Sequence, residues 1–191
     1  MIVLDSLENL PRFNAPIITI GAFDGLHLGH QALIRKLHEI SEESGGDKIV
    51  MSFSPHPRKV LYPEEDFKIL TTVEEKIERL SALGMDYLIL IPFTKEFAEY
   101  SPEFFFEDIL IHKVGAKKIV VGHDHSFGKN RNGDLKLLQN LSQQYAIEII
   151  ETPEVFIDAV PVRSSVIRKM IAAGNLAMAE RFLGHKFPKP Y

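Results

Sequence analysis

In Ile17-Ile18-Thr19-Ile20-Gly21-Ala22-Phe23-Asp24-Gly25-Leu26-His27-Leu28-Gly29-His30, an apolar, strand-like run passes through glycine-bearing sequence into a helix-like pattern. Glycine has no side chain, so the backbone at such a junction can approach a ligand closely. His27 and His30 stand three residues apart, and at a helix start side chains so spaced point the same way. That end of a helix favours anions through its dipole and its unpaired amides. A glycine-lined, histidine-bearing helix N-terminus suits a polyphosphate better than a thiol or an acyl group.

Outward from this junction, short apolar runs alternate with helical patterns. Ile17–Ile20, Lys48–Phe53, Tyr87–Ile91, Lys118–Val121 and Ile147–Glu151 read as strands, most of them apolar throughout, as strands covered on both faces are. Leu33, Ile34, Leu37 and Ile40 form a helical stripe. Thr72 with Glu75 makes a capping box, and Gly84 stops the helix that follows. Ser101-Pro102 opens a helix reaching about His112, and Asp134 caps another. Ser164 is read as the cap of a short helix stopped by Gly174, and Asn175 as the cap of one stopped by Gly184. Repeated strand–helix order predicts an α/β domain over residues 1–184, a mostly parallel sheet of about five strands flanked by helices. Ligands of such sheets bind at the carboxyl ends of the strands, where Gly21–His30 falls. Residues 185–191 read as an extended tail or the start of a linker.

The bulk composition narrows the function classes. With 191 residues there is length enough for one well-buried domain. The net charge of −4 gives no basic field to recruit nucleic acid. Without cysteine there is neither a disulfide nor a thiolate metal site. No apolar run approaches the ~20 residues of a membrane span. Met1–Asp5 lacks a basic leader, so a soluble, cytoplasmic protein is the expectation.

Three further segments carry chemistry. In Ser52-Phe53-Ser54-Pro55-His56-Pro57 two prolines stiffen a loop around a histidine, giving either a rigid connector or a flat apolar wall with a polar handle. Gly122-His123-Asp124-His125-Ser126-Phe127-Gly128 continues into Lys129, Asn130 and Arg131. Adjacent residues of an extended chain point opposite ways, so His-Asp-His does not converge on a metal, and a cationic loop over phosphates fits better. Arg163-Ser164-Ser165-Val166-Ile167-Arg168 offers hydroxyls and amides at a helix start, with a guanidinium fork about one turn on.

Together these segments resemble the FMN adenylyltransferase module of the bacterial FAD synthetases, usually fused to riboflavin kinase. His27-Leu28-Gly29-His30 is similar to the His-x-Gly-His element of the wider nucleotidylyltransferase superfamily, and Ser164, Ser165, Ile167 and Arg168 match a Ser-Ser-Thr-x-Ile-Arg element, with Arg163 in place of its first serine. The resemblance spans roughly residues 14 to 184 and implies a Rossmann-like nucleotidylyltransferase fold. It implies phosphate-binding roles for His27, His30 and Arg168, and an ATP side made of Gly21, Phe23, Asp24, Gly25, Gly29, Ser164 and Ser165. It implies a flavin side of Pro55, His56, Pro57, Asp124 and Phe127. Asp24 can equally be a turn carboxylate.

The implied reaction is ATP + FMN → FAD + pyrophosphate, by in-line attack of the FMN phosphate on the α-phosphorus, with Mg²⁺ accompanying ATP and held mostly by water and ligand oxygens. A riboflavin kinase domain would belong to a longer product, because nothing after Gly184 forms it. Three other readings stay open: a different phosphate acceptor, a flavin- or nucleotide-binding regulator without catalysis, and a metal-dependent hydrolase.

Overall fold

The computed structural model describes residues 1–123, 127–129 and 132–187. Asp124 and His125 therefore lie outside the described residues. In chain order the elements are β1 (Ile2–Leu4), β2 (Ile17–Ile20), α1 (Leu28–Ser44), β3 (Lys48–Ser54), α2 (Pro57–Leu61), α3 (Val73–Ala82) and β4 (Tyr87–Pro92). There follow α4 (Lys95–Ala98), α5 (Pro102–Phe104), a π-helix (Phe105–Lys113), β5 (Lys118–Gly122), α6 (Leu135–Tyr145) and β6 (Glu148–Thr152). The chain continues with β7 (Phe156–Ile157), β8 (Val160–Pro161), α7 (Ser164–Ala172) and α8 (Leu176–Leu183).

Six strands form one parallel sheet in the order β1-β4-β3-β2-β5-β6, and β7 and β8 pair as a separate hairpin. Each inner strand alternates between two cores. Ile18, Ile20, Ile49, Met51, Ile89, Ile91, Ile119 and Val121 face Phe106, Leu110, Leu138 and Leu141, while Ile17, Val50, Leu88 and Val120 face Ile34, Leu37 and Leu80. Burial on both faces is what the unbroken apolar runs require. A third cluster joins α7 and α8 to Leu70 and Val162.

The five expected strands are present, with β1 added at the edge. A three-residue strand is too short to show a pattern, and it is held by pairing with β4. Thr72 and Glu75 form both halves of the capping box, and Asp134 and Asn175 cap α6 and α8. One capping call is corrected. The cap of α7 falls on Arg163, and Ser164 is the first helical residue. The helix expected to reach about His112 instead widens into the π form, with the Val114 amide bonded to the Ile109 carbonyl.

β2 is the sheet's turning point. Its two neighbours are β3 on one side and β5 on the other. A crevice therefore opens beyond the carboxyl ends of β2 and β5, the expected place for a ligand.

Candidate active site

The junction from β2 to α1 is built under strain. Phe23 and Leu26 take φ of 49° and 41°, a region that costs non-glycine residues about 1–3 kcal/mol. Both side chains are buried, and the loop's backbone is bonded almost throughout. The Ala22 carbonyl accepts from Lys76 Nζ (2.7 Å) and Ser52 Oγ (3.1 Å). The Asp24 carbonyl accepts from Ser164 Oγ (2.9 Å), the Gly25 carbonyl from His185 Nε2 (2.9 Å) and the Leu26 carbonyl from Gln31 Nε2 (3.0 Å). The Gly25 amide donates to Thr71 Oγ1 at 2.7 Å.

Asp24 anchors this network. It is 3% exposed, and its Oδ1 accepts the amides of Leu70 (2.8 Å) and Thr71 (3.1 Å). Its Oδ2 pairs with Arg168, whose Nε donates to the Lys68 carbonyl at 2.7 Å and whose guanidinium lies 4.1 Å from the Phe67 ring centre. Asp24 and Arg168 thus tie the first loop to α7. The geometry gives both a scaffolding place.

The two histidines come together as their spacing predicts. Their rings stack with centres 3.7 Å apart and planes 15° from parallel. His27 is the N-cap of α1, its Nδ1 accepting the His30 amide at 3.3 Å. A Cβ on Gly29 would stand 3.1 Å from the His27 ring and 3.3 Å from the Val162 carbonyl, so glycine leaves the ring its position. The Phe23 ring props His30 from behind at 4.9 Å. Burial first, then His27 and Lys76, hold His30 well below the usual histidine range, so its imidazole is neutral near pH 7. Its Nδ1 is buried with no hydrogen-bond partner among the described residues.

Both histidines line a cleft of about 590 Å³. Gly21, Phe23 and Gly29 line it too, as do Ser164 and Ser165 of the facing helix. The N-cap of α7, Arg163, makes no side-chain cap bond on that first turn; it pairs instead with Glu154, its Nε 2.6 Å from Oε1. The α7 N-terminus thus opens on the cleft without a side-chain cap, an arrangement that favours anions.

Of the far wall, Gly122 and His123 come from the segment singled out in sequence, while Thr152, Pro153, Glu154 and Val155 escaped that reading. The wall stands at the ends of β5 and β6. His123 Nδ1 lies 2.8 Å from Glu151 Oε1. Position at the carboxyl end of a strand was the available signal.

The Pro-His-Pro segment is separate, across Phe67 from Arg168. Pro57 is the first residue of α2, and His56 caps it by accepting the Arg58 amide at 3.1 Å. The His56 ring lies 4.6 Å from Phe67, and burial with Arg168 nearby lowers its pKa to about 4. Pro55 is exposed. Beside this turn runs an aromatic ladder that the sequence reading missed: Phe53, Phe93, Phe97, Tyr100 and Phe104, with successive centres 4.5–5.6 Å apart. Positions 93, 97, 100 and 104 have helical spacing, which was its signal. Phe127 is 8% exposed and packs against Phe105, whose ring also meets Phe97 of that ladder. His185 and Phe187, read as tail, dock on the Gly25 carbonyl and on the α7–α8 cluster.

Comparison with known proteins follows the same lines. The FAD synthetase family model matches residues 11–166. A FAD synthetase of Listeria monocytogenes is 37% identical over 172 residues, covering 90% of this chain and 69% of that protein. The bifunctional riboflavin kinase/FMN adenylyltransferase of Escherichia coli K12 is 35% identical, over 90% of this chain and 55% of its own. That of Buchnera aphidicola subsp. Schizaphis graminum is 32% identical over 98% of this chain, which spans 61% of the relative's length. A crystal structure described as a macrolide-efflux protein from Streptococcus pneumoniae superposes with a TM-score of 0.84 at 27% identity, covering 97% of this chain and 60% of that one. Among the described residues no helix is long and apolar enough to cross a membrane.

Proposed function

Because the chain belongs to the FAD synthetase family, we propose that it transfers the AMP moiety of ATP to FMN, releasing pyrophosphate. The observation that carries this is the stacked pair His27 and His30 at the start of α1, sharing one cleft with the open first turn of α7. The triphosphate lies between the two helix starts. The neutral His30 imidazole and the His27 ring donate hydrogen bonds to its oxygens as charge develops at the α-phosphorus and on the leaving pyrophosphate. Ser165 and the α7 amides hold the outer phosphates. Ser164 contributes through its amide, since its hydroxyl is engaged by Asp24.

FMN brings its own anionic phosphate as nucleophile, so the chain supplies position and charge, not a general base or a covalent intermediate. The isoalloxazine ring meets the aromatic ladder and the Pro55–Pro57 turn, while the wall at His123 and Thr152–Val155 receives the adenosine. Magnesium enters with its nucleotide as the MgATP substrate. The ion is held by phosphate oxygens and water, while Asp24 is engaged by the Leu70 and Thr71 amides and by Arg168.

Incubation with ATP, Mg²⁺ and FMN, with FAD followed by chromatography, tests the reading beside a His27→Ala, His30→Ala double variant. FAD formed by the parent and lost in the variant supports it. A folded parent that makes no FAD overturns it.

A further inference from the structure

Lys76 interrupts the apolar face of α3, four residues before Leu80 and seven before Leu83. In the structure it is 5% exposed. Its Nζ donates to the Ala22 carbonyl at 2.7 Å and to Ser52 Oγ at 2.8 Å, two neutral partners. The carboxylate that acts on it, Asp24, is already paired with Arg168. The other titratable groups facing it are His30 from α1 and His56 from the β3–α2 turn. Both are held neutral. Asp24, Arg168 and Lys76 together therefore carry one surplus positive charge under the loop.

A buried cation without its own counter-ion costs folding free energy, and such groups beside clefts mark functional sites. Burial lowers the Lys76 pKa to about 8, with Asp24 acting the other way. Ala22 lines the cleft next to Gly21 and Phe23, so the ammonium stands behind the backbone that a bound anion would face.

We propose that Lys76 is a positioning residue for the phosphates. Its ammonium holds the Ala22 carbonyl oxygen, which would repel an anion, turned back into the protein. It also supplies the countercharge to a polyphosphate lying on the cleft side of that loop. The proposal rests on the reading of this cleft as the ATP site. It adds a cation that reaches the substrate through the loop rather than by contact.

Three variants of the full chain test it: Lys76→Met, Lys76→Gln and Lys76→Arg. Each is measured for thermal unfolding, for FAD formation and for calorimetric binding of inorganic tripolyphosphate. Glutamine retains two N–H donors, one bond nearer the backbone, and removes the charge, while methionine keeps the chain as far as Cε and removes both donors and charge. Expected are neutral variants that melt within a few degrees of the parent. Their kcat/KM for ATP falls on the order of 10²-fold, their tripolyphosphate binding weakens about tenfold or more, and Lys76→Arg recovers much of both.

A Lys76→Gln protein equal to the parent would reduce Lys76 to a hydrogen-bonding tie and overturn the proposal. Unfolding of both neutral variants would do the same, because the cation would then be a structural need. A parent that fails to bind tripolyphosphate also overturns it. A parent that binds tripolyphosphate through the Lys76 charge yet makes no FAD sinks the proposed reaction and leaves this inference standing.

Discussion

Strands β2 and β3 lie side by side, and each passes to its helix through a histidine whose Nδ1 accepts an amide, His27 from His30 and His56 from Arg58. Beyond that shared cap the junctions diverge. After β2 the loop is buried, carries two non-glycine residues at positive φ, and is bonded to Ser52, Thr71, Lys76, Ser164 and His185. After β3 the turn is short, Pro55 is exposed, and stiffness comes from the pyrrolidine rings flanking His56. One junction is fixed by the rest of the molecule and the other by its own covalent structure. The first suits charges that must be met at a fixed distance. The second suits a flat ring that needs a wall, which the ladder from Phe93 to Phe104 extends.

The sharpest way to break this contrast is Asp24→Ala. It strands Arg168 and the amides of Leu70 and Thr71, and by the usual cost of breaking a buried pair it should lower stability by about 3–5 kcal/mol in denaturant unfolding. A loss under about 1 kcal/mol would mean that the first junction is not held by the rest of the fold. Next comes His27→Ala or His30→Ala singly. Each should slow FAD formation by about 10²–10³, read as kcat, because a donor to the developing charge is removed.

Gly29→Ala is milder. The new methyl presses on the His27 ring and the Val162 carbonyl, at about 1–3 kcal/mol of overpacking, and the melting temperature reports it. The smallest effect belongs to the second junction. His56 has its pKa lowered in the fold, so the neutral form is favoured there. Its contribution is whole above pH 6.5, the ordinary histidine value, and is lost as pH falls toward about 4. His56→Gln should therefore flatten the decline of melting temperature across that window. An unchanged slope would assign the acid sensitivity to His30, which has the same sign.

Much of the frame was legible because its signals are local. Apolar runs gave the inner strands, and Thr72 with Glu75, Asp134 and Asn175 gave helix starts. The His27–His30 pair was legible from spacing alone. Lys76 was legible only in part: its spacing to Leu80 and Leu83 puts it on the covered face of α3, but spacing gives no sign of the Ala22 carbonyl and Ser52 hydroxyl that receive its ammonium. The positive φ of Phe23 and Leu26 was hidden for a related reason: only distant contacts hold non-glycine residues there. Ser164 read as a cap because serine caps helices, yet the nearby Asp24 carbonyl takes its hydroxyl and the cap falls to Arg163.

The contacts that finish the cleft link residues far apart in the chain. Ser164 to Asp24 spans 140 residues, Gln31 to Leu183 spans 152, and His185 to Gly25 spans 160. β2 also waits for residue 118 before its second edge is paired. Pairings of such separation form slowly and leave apolar edges open meanwhile. On the ribosome, then, a chain lacking its last two helices can assemble much of the sheet while the loop after β2 remains without its clasp. A ligand of the cleft becomes able to reward folding only once synthesis has passed α8, and it would then act as a late-stage chaperone of its own binding site.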